Sequence, residues 1–388
     1  MDFSFTLVKK ANKSRARAGI IKTPHGSIKT PAFSPVATRA SVRSLGPQDL
    51  TAAGSQVVLG NTYHLYLRPG VKTIKKFKGF GPFMGWKGPT ITDSGGYQVS
   101  FLWNKGSEEG VGKVVKITDA GATFSSYIDG SIHLLTPEGS MEIQKALGAD
   151  IIMAFDQPLG SNYSKKDKKE AFDRTLKWEE RSYAAWKGLK STQALYGIVQ
   201  GDIDEGLRKQ SLKFVLSMGF PGIAMGGESI GADPKVTSRT LDTVSGLLPD
   251  NLPLHALGLG GGPEGILEAV ERGVDSFDNT GITRMARTGL LFVYPEDGGT
   301  KVNKFRIDIN KSKFMDDKKP ISRVCGCEAC RSFSRAYIHH LLVSGELLGL
   351  RLTSIHNVHY INNLMALIRQ AILAGEFAAL KKHWLKKT

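Results

Sequence analysis

Asp278 ends a short apolar run, Val274-Asp275-Ser276-Phe277-Asp278, and Asn279-Thr280, Thr283-Arg284 and Ala286-Arg287-Thr288-Gly289 follow it. A carboxylate at the C-terminal end of a buried strand can face a pocket and act as a nucleophile. Arg284 and Arg287, a few residues on, can hold phosphates. Taken alone, the same residues also fit a turn aspartate ahead of a solvated basic loop.

A second cluster, Cys325-Gly326-Cys327-Glu328-Ala329-Cys330, holds all three cysteines of the chain. An odd number packed this closely argues against a disulfide framework and for a metal. Three thiolates suit zinc, which takes four tetrahedral ligands. His339, His340, His356 and His359 all follow, and spacing alone does not choose the fourth. A site of three cysteines and one histidine leaves no open position for water, so it is expected to be structural rather than catalytic.

The elements that must carry these residues are legible as a rhythm. Phe5-Thr6-Leu7-Val8 and Ala18-Gly19-Ile20-Ile21, with a turn at Pro24-His25-Gly26, predict antiparallel strands at the N-terminus. Eight short apolar runs come next, each ending in polar or glycine residues. They start at Ala32, Val57, Thr90, Ile151, Tyr196, Gly222, His255 and Asp275. Helical patterns lie between most of them: Phe172, Leu176, Tyr183 and Trp186; Leu207, Phe214, Val215 and Met218; and Pro263 to Val270, opened by a proline. Alternating strand and helix implies a parallel sheet. Eight such units predict an α/β fold of the (β/α)₈ TIM-barrel type, which takes about 250 residues; a doubly wound open sheet is the alternative. In a barrel, Asn61, Asp93, Asp156, Gln200, Gly226-Gly227 and Asp278 would share the mouth at the strands' C-terminal ends. Residues 1–289 are read as the barrel domain, with a hairpin excursion on its rim at 101–135. Residues 290–388 are read as a zinc-binding and helical C-terminal subdomain. The last residues, Lys381-Lys382-His383-Trp384-Leu385-Lys386-Lys387, read as a solvated basic end.

Composition agrees with an enzyme that meets a polyanion. The net charge is +16 and the pI near 9.6, an excess that favours an anionic partner, nucleic acid above all. No run of about 18 apolar residues exists to span a membrane. The N-terminal residues show no secretory pattern, so a cytoplasmic protein is expected.

Together the motifs resemble the tRNA-guanine transglycosylase (queuine tRNA-ribosyltransferase) family. The resemblance rests on Gly60-Asn61-Thr62-Tyr63-His64-Leu65, Thr92-Asp93-Ser94-Gly95-Gly96-Tyr97-Gln98, Met153-Ala154-Phe155-Asp156, Gln200-Gly201, Gly226-Gly227 and Phe277-Asp278 with Arg284 and Arg287. It continues through the cysteine cluster, Ser334 to Leu341 and His356-Asn357, and so covers nearly the whole chain in order. It implies a barrel with an appended zinc subdomain, usually a homodimer, that exchanges the wobble guanine of a tRNA anticodon for a 7-deazaguanine, either 7-aminomethyl-7-deazaguanine or queuine. Asp278 would be the nucleophile and Asp93 the general acid and base, the two-carboxylate logic of retaining glycosidases. Asn61 would orient Asp93. Asp156, Gln200, Gly227 and Leu257 would line the base site, with Tyr97 stacking on a base flipped from the anticodon loop. Gly258, Gly260, Gly261, Arg284 and Arg287 would meet the RNA. Cys325, Cys327, Cys330 and His356 would hold one structural zinc. A catalytically inactive tRNA-binding relative or accessory subunit is the alternative, and retention of both aspartates speaks against it.

Three places depart from the family's usual pattern: Gln157-Pro158 after Asp156, Glu228 directly after Gly226-Gly227, and Asn279-Thr280-Gly281-Ile282 after Asp278. All three are expected near the base pocket, so the identity of the incoming base does not follow from the motifs.

Overall fold

A computed structural model describes residues 2–101, 113–231 and 233–386. The N-terminal strands are β1 (Ser4–Lys10), β2 (Arg17–Thr23) and β3 (Gly26–Thr30), paired antiparallel in that order. The first apolar run of the parallel sheet is split into β4 (Ala32–Ser34) and β5 (Val36–Ala37). Pro35, between them, has no N–H for a ladder, and its carbonyl accepts from the Leu59 N–H at 3.0 Å. Then come β6 (Val58–Gly60) and β7 (Thr90–Thr92), and the rim strands β8 (Lys113–Thr118), β9 (Gly121–Ser125) and β10 (Ile132–Leu135). The sheet resumes with β11 (Ile151–Met153), β12 (Ala194–Val199), β13 (Gly222–Met225), β14 (Leu254–Ala256) and β15 (Ser276–Asp278).

The parallel segments pair in the order β4-β15-β14-β13-β12-β11-β7-β6-β5. Because β4 and β5 are consecutive pieces of one run, the sheet comes round on itself, which an open doubly wound sheet does not do. This is the expected α/β barrel. The rim excursion is larger than the hairpin expected, a three-stranded antiparallel sheet in the order β10-β9-β8; residues 102–112 of it lie outside the described residues.

The helices between strands begin where side chains can cap them. Thr136, Ser164, Asp204 and Asp233 each accept a backbone N–H at the start of Pro137–Leu147, Lys165–Gly188, Glu205–Met218 and Pro234–Ser245, a contribution of about 1 kcal/mol apiece. β12 shows how the wall is built. Ala194, Tyr196 and Ile198 pack with Ile91, Ile151 and Met153 inside the barrel, while Leu195 and Val199 join the layer under the helices. Ile21 and Ile28 of the N-terminal sheet belong to the inner cluster, with Phe3 edge-on to Tyr196 at 6.1 Å. That sheet therefore plugs one end of the barrel, and the strands' C-terminal ends form the other.

After Gly289, β16 (Leu290–Phe292) pairs with β17 (Arg306–Asp308). The 28-residue helix Leu347–Ala374 then runs back along the barrel. Its Asn357 donates to the carbonyls of Ile282 and Leu290 and accepts from the Phe292 N–H, and its Arg369 donates to the carbonyls of Gly19 and Thr30. The basic end is not simply solvated. Trp384 is buried against Tyr294, Phe305 and Tyr360, and Lys381 pairs with Glu268 and Glu271. The apolar surface Trp384 covers outweighs the polarity of its neighbours. Among the described residues, no helix is long and apolar enough to cross a membrane.

Candidate active site and metal centre

Asp93 follows β7 directly and is held from β6. Asn61 donates through Nδ2 to Asp93 Oδ2 at 2.6 Å, and the Thr62 N–H donates to Oδ1 at 2.8 Å. Burial raises the Asp93 carboxyl to about 7, against the opposing Thr62 N–H; the charges of Asp278 and Asp156 push the same way as burial. Asp93, Asp156 and Asp278 lie at or just past the C-terminal ends of parallel strands of one closed sheet, which puts the three carboxylates in one mouth.

Asp156 lies three residues past β11. Its Oδ1 accepts from Ser94 Oγ at 3.1 Å and its Oδ2 from Gln200 Nε2 at 2.7 Å. Burial still raises it, to about 6. A Cβ on Gly96 would lie 2.2 Å from the Asp156 carbonyl, and one on Gly226 would lie 2.6 Å from Gln200 Nε2. These glycines are therefore required by close approach rather than by turn geometry. Gln200 Oε1 is buried with no hydrogen-bond partner among the described residues, an acceptor left for a ligand's N–H.

The loop carrying Asp156 is supported from behind by the Lys165–Gly188 helix. Ser182 Oγ accepts from the Phe155 N–H, Thr175 Oγ1 accepts from the Gln157 N–H, and Glu179 accepts from the Ile198 N–H. Burial raises the Glu179 carboxyl well above its ordinary value. Arg208 is also fully buried; it donates to the carbonyls of Val199 and Asp202 and to Ser229 Oγ, tying the ends of β12 and β13 together.

Asp278 ends β15. Its Oδ1 receives the Gly258 N–H at 3.0 Å and lies 3.1 Å from His255 Nε2. His255 is fully buried, with Nδ1 2.8 Å from Ser276 Oγ.

The cysteines and His356 come together below β16. His356 Nδ1 is 3.7, 3.5 and 3.2 Å from the sulfurs of Cys325, Cys327 and Cys330. A tetrahedral ion with metal–sulfur bonds of about 2.3 Å and metal–nitrogen bonds of about 2.0 Å needs S···N separations of about 3.6 Å, so the four residues fit one. His356 Nε2 reaches the Phe292 carbonyl at 2.7 Å, which fixes the tautomer that leaves Nδ1 free to ligate. The structure thus chooses among the four histidines: among the described residues the ligand group contains His356 and none of His339, His340 and His359.

A family model described as "Queuine tRNA-ribosyltransferase" matches residues 12–388. The chain belongs to that family. A queuine tRNA-ribosyltransferase of Desulforamulus reducens is 41% identical over 386 residues, covering 100% of this chain and 99% of the relative. One from Desulforudis audaxviator is 40% identical over 385 residues, with coverages of 99% and 98%. One from Symbiobacterium thermophilum is 42% identical over 391 residues, with coverages of 100% and 92%. Membership makes the chain a transferase of the pentosyl class.

The family's expected positions fall into two groups here. Asn61, Asp93, Asp156, Gln200 and Asp278 are bound to one another or to adjacent strand ends, as described. Gly227 sits beside Gln200 with φ +104°, and half-buried Leu257 hydrogen-bonds to the Met225 carbonyl. Gly258 and Gly260 are left-handed, and the Gly261 carbonyl accepts from Arg306. Tyr97 is 54% exposed with Phe101 beside it, an aromatic face open to solvent. Arg284 is exposed and Arg287 half-buried on the helix Gly281–Arg287, outside the carboxylate cluster.

Of the divergent positions, Gln157, Glu228 and Asn279 each have a defined partner. Gln157 turns onto the helix behind, where Arg174 donates to its Oε1 at 2.6 Å. Glu228 is half-buried and accepts from the Ser161 N–H at 2.8 Å; after burial, its charge is what raises the Tyr97 phenol. Asn279 bridges the Gly258 carbonyl and the Gly281 N–H. His255, Glu179 and Arg208 escape the motif reading. His255 sits inside an apolar strand, and the other two look like ordinary charges on amphipathic helices.

Proposed function

We propose that this chain exchanges the wobble guanine of a tRNA anticodon for a 7-deazaguanine, of the 7-aminomethyl or queuine kind, through a covalent Asp278–ribose intermediate. The observation that carries the reading is the pairing of two carboxylates with unlike surroundings in one mouth. Asp278 is gripped on one oxygen. Asp93 is raised to about 7 and so can hold or release a proton at neutral pH.

In this mechanism Asp278 attacks C1′ from the face opposite the base as the C1′–N bond breaks. The electron pair leaves with guanine, which takes a proton from Asp93. The incoming base then gives a proton to the Asp93 carboxylate, attacks C1′ and frees Asp278. Asp156, Gln200, Gly227 and Leu257 hold the base's polar edge and plane, and Tyr97 stacks on it. Gly258, Gly260, Gly261, Arg284 and Arg287 meet the RNA backbone. The soft Cys₃His donor set suits one zinc ion, which supplies structure rather than chemistry because no ligand position remains for water. Residues 290–388 act as the zinc-carrying subdomain of a barrel spanning 1–289, and the working enzyme is a cytoplasmic homodimer.

Incubation with radiolabelled guanine and tRNA tests this. Label should enter the tRNA, and a wild-type protein–RNA adduct should survive denaturing electrophoresis. Asp278→Asn should abolish both. No incorporation by folded, tRNA-binding wild-type protein would support the binding-only relative instead.

A further inference from the structure

We infer that His255 is a positioning residue for the nucleophile: it occupies one oxygen of Asp278, leaves the other for attack, and favours release of the covalent ester. The inference rests on the covalent reading above. His255 is fully buried in β14, and its two ring nitrogens are each accounted for: Nδ1 faces Ser276 Oγ at 2.8 Å, Nε2 faces Asp278 Oδ1 at 3.1 Å. An ionised carboxylate can only accept, so Nε2 carries the proton. Nδ1 is then the acceptor, and the Ser276 hydroxyl is its donor. The relay therefore runs Ser276 O–H to His255 to Asp278.

The Gly258 N–H ends on the same oxygen at 3.0 Å. Oδ1 thus receives two donors from β14 and the turn that follows it, and among the described residues no donor reaches Oδ2. That asymmetry assigns the oxygens: Oδ2 forms the bond to C1′ as the C1′–N bond breaks, while Oδ1 stays with its donors and becomes the ester carbonyl. Hydrogen bonds to a charged acceptor are roughly twice as strong as those to a neutral one. His255 and Gly258 therefore stabilise the free carboxylate more than the ester. When the incoming base attacks C1′, the electron pair of the C1′–O bond returns to Asp278, and these donors receive the recovered charge. The ester is kept from becoming a trap.

The test uses the full-length enzyme with tRNA at a fixed guanine concentration, reading the adduct-to-free ratio on denaturing gels beside kcat and KM. His255→Leu removes the donor. The adduct ratio should rise on the order of tenfold and kcat should fall by a similar factor, with KM for tRNA moving less than about threefold. His255→Gln places an amide nitrogen at the reach of Nε2 and should restore most of both losses. Ser276→Ala, a smaller change, keeps the test alive should His255→Leu fail to fold: it frees the tautomer and should raise the ratio by about threefold. An unchanged ratio in the folded variants, or equal losses in His255→Leu and His255→Gln, overturns the assignment. Absence of adduct in the wild type overturns the covalent reading itself, and this inference with it; adduct in the wild type with unaltered variants overturns this inference alone.

Discussion

Asn61 binds Asp93 with the nitrogen end of its amide, 2.6 Å from Nδ2 to Oδ2, because its oxygen end is already committed to the His64 N–H at 3.0 Å as the cap of the helix Thr62–Leu65. One side chain thus both starts a helix and aims a donor at the proposed acid–base. Asn61→Ala should cost about 1 kcal/mol of stability for the lost cap. It should also move the pH optimum of exchange upward, since removing a donor from the ionised form favours the protonated one. Rate profiles from pH 5 to 9 check this, and an unmoved profile would mean that Asp93 is tuned without Asn61.

The raised Asp93 also makes a stability prediction whose sign is opposite to the ordinary aspartate. Its folded value, about 7, lies above the unfolded value, about 3.9. The native state therefore holds a proton that the unfolded chain gives up. This contribution is fully present below pH 4, declines between pH 4 and 7 at no more than about 1.4 kcal/mol per unit, and is constant above. Asp93→Asn cannot ionise, so its stability relative to wild type should improve steadily across that window while exchange is lost. Parallel melting-temperature curves for the two proteins would contradict the assignment.

How much of this was legible in the sequence depends on where a residue's role is decided. The strand–helix rhythm gave the barrel because the period of burial is local to each element. Asp93, Asp156, Gln200 and Asp278 stood out because a polar residue ending an apolar run is visible without tertiary knowledge. The helix Glu205–Met218 shows the limit. Leu207, Phe214, Val215 and Met218 marked its expected inner face, yet the buried set is Arg208, Ser211, Leu212 and Val215. The face had to turn polar to meet the Val199 and Asp202 carbonyls and the Gln200 N–H at the end of β12 and the Ser229 hydroxyl past β13, a demand set outside the helix itself. Pro35 hid the barrel's closure in a similar way, since one run supplies strands to both ends of the sheet. His255 was invisible because nothing in β14 itself says that its neighbour is a carboxylate.

Arg208 carries the next prediction. Burial lowers its guanidinium to about 10, so it stays charged at neutral pH, and its donors end on the Val199 and Asp202 carbonyls and Ser229 Oγ. Arg208→Met fills similar volume but takes the donor from the Asp202 carbonyl and Ser229 Oγ, while the Val199 carbonyl keeps the Gly226 N–H at 3.1 Å. Unpartnered buried acceptors cost about 1–3 kcal/mol each, so a loss of about 3 kcal/mol is expected by urea unfolding. Guanine affinity should fall too, because Gly227 and Gln200 lean on the same loop. A loss below about 1 kcal/mol would show that water replaces the guanidinium.

Metal removal should act on the fold before the chemistry. His356 joins the thiolates to the Phe292 carbonyl; the Phe292 ring stacks on Tyr360 at 4.9 Å, and Tyr360 in turn meets Trp384. The ion would therefore fix the register between β16 and the long helix Leu347–Ala374, and Trp384 would report on it. Chelation, or Cys330→Ser, should release about one zinc per chain, lower the melting temperature and shift Trp384 emission to the red as it meets water. Activity should decline in step with the folded fraction, since the donor set leaves no site for a metal-bound nucleophile. Loss of exchange in protein whose melting curve and emission are unchanged would put the ion in the chemistry and remove it from the structural role argued here.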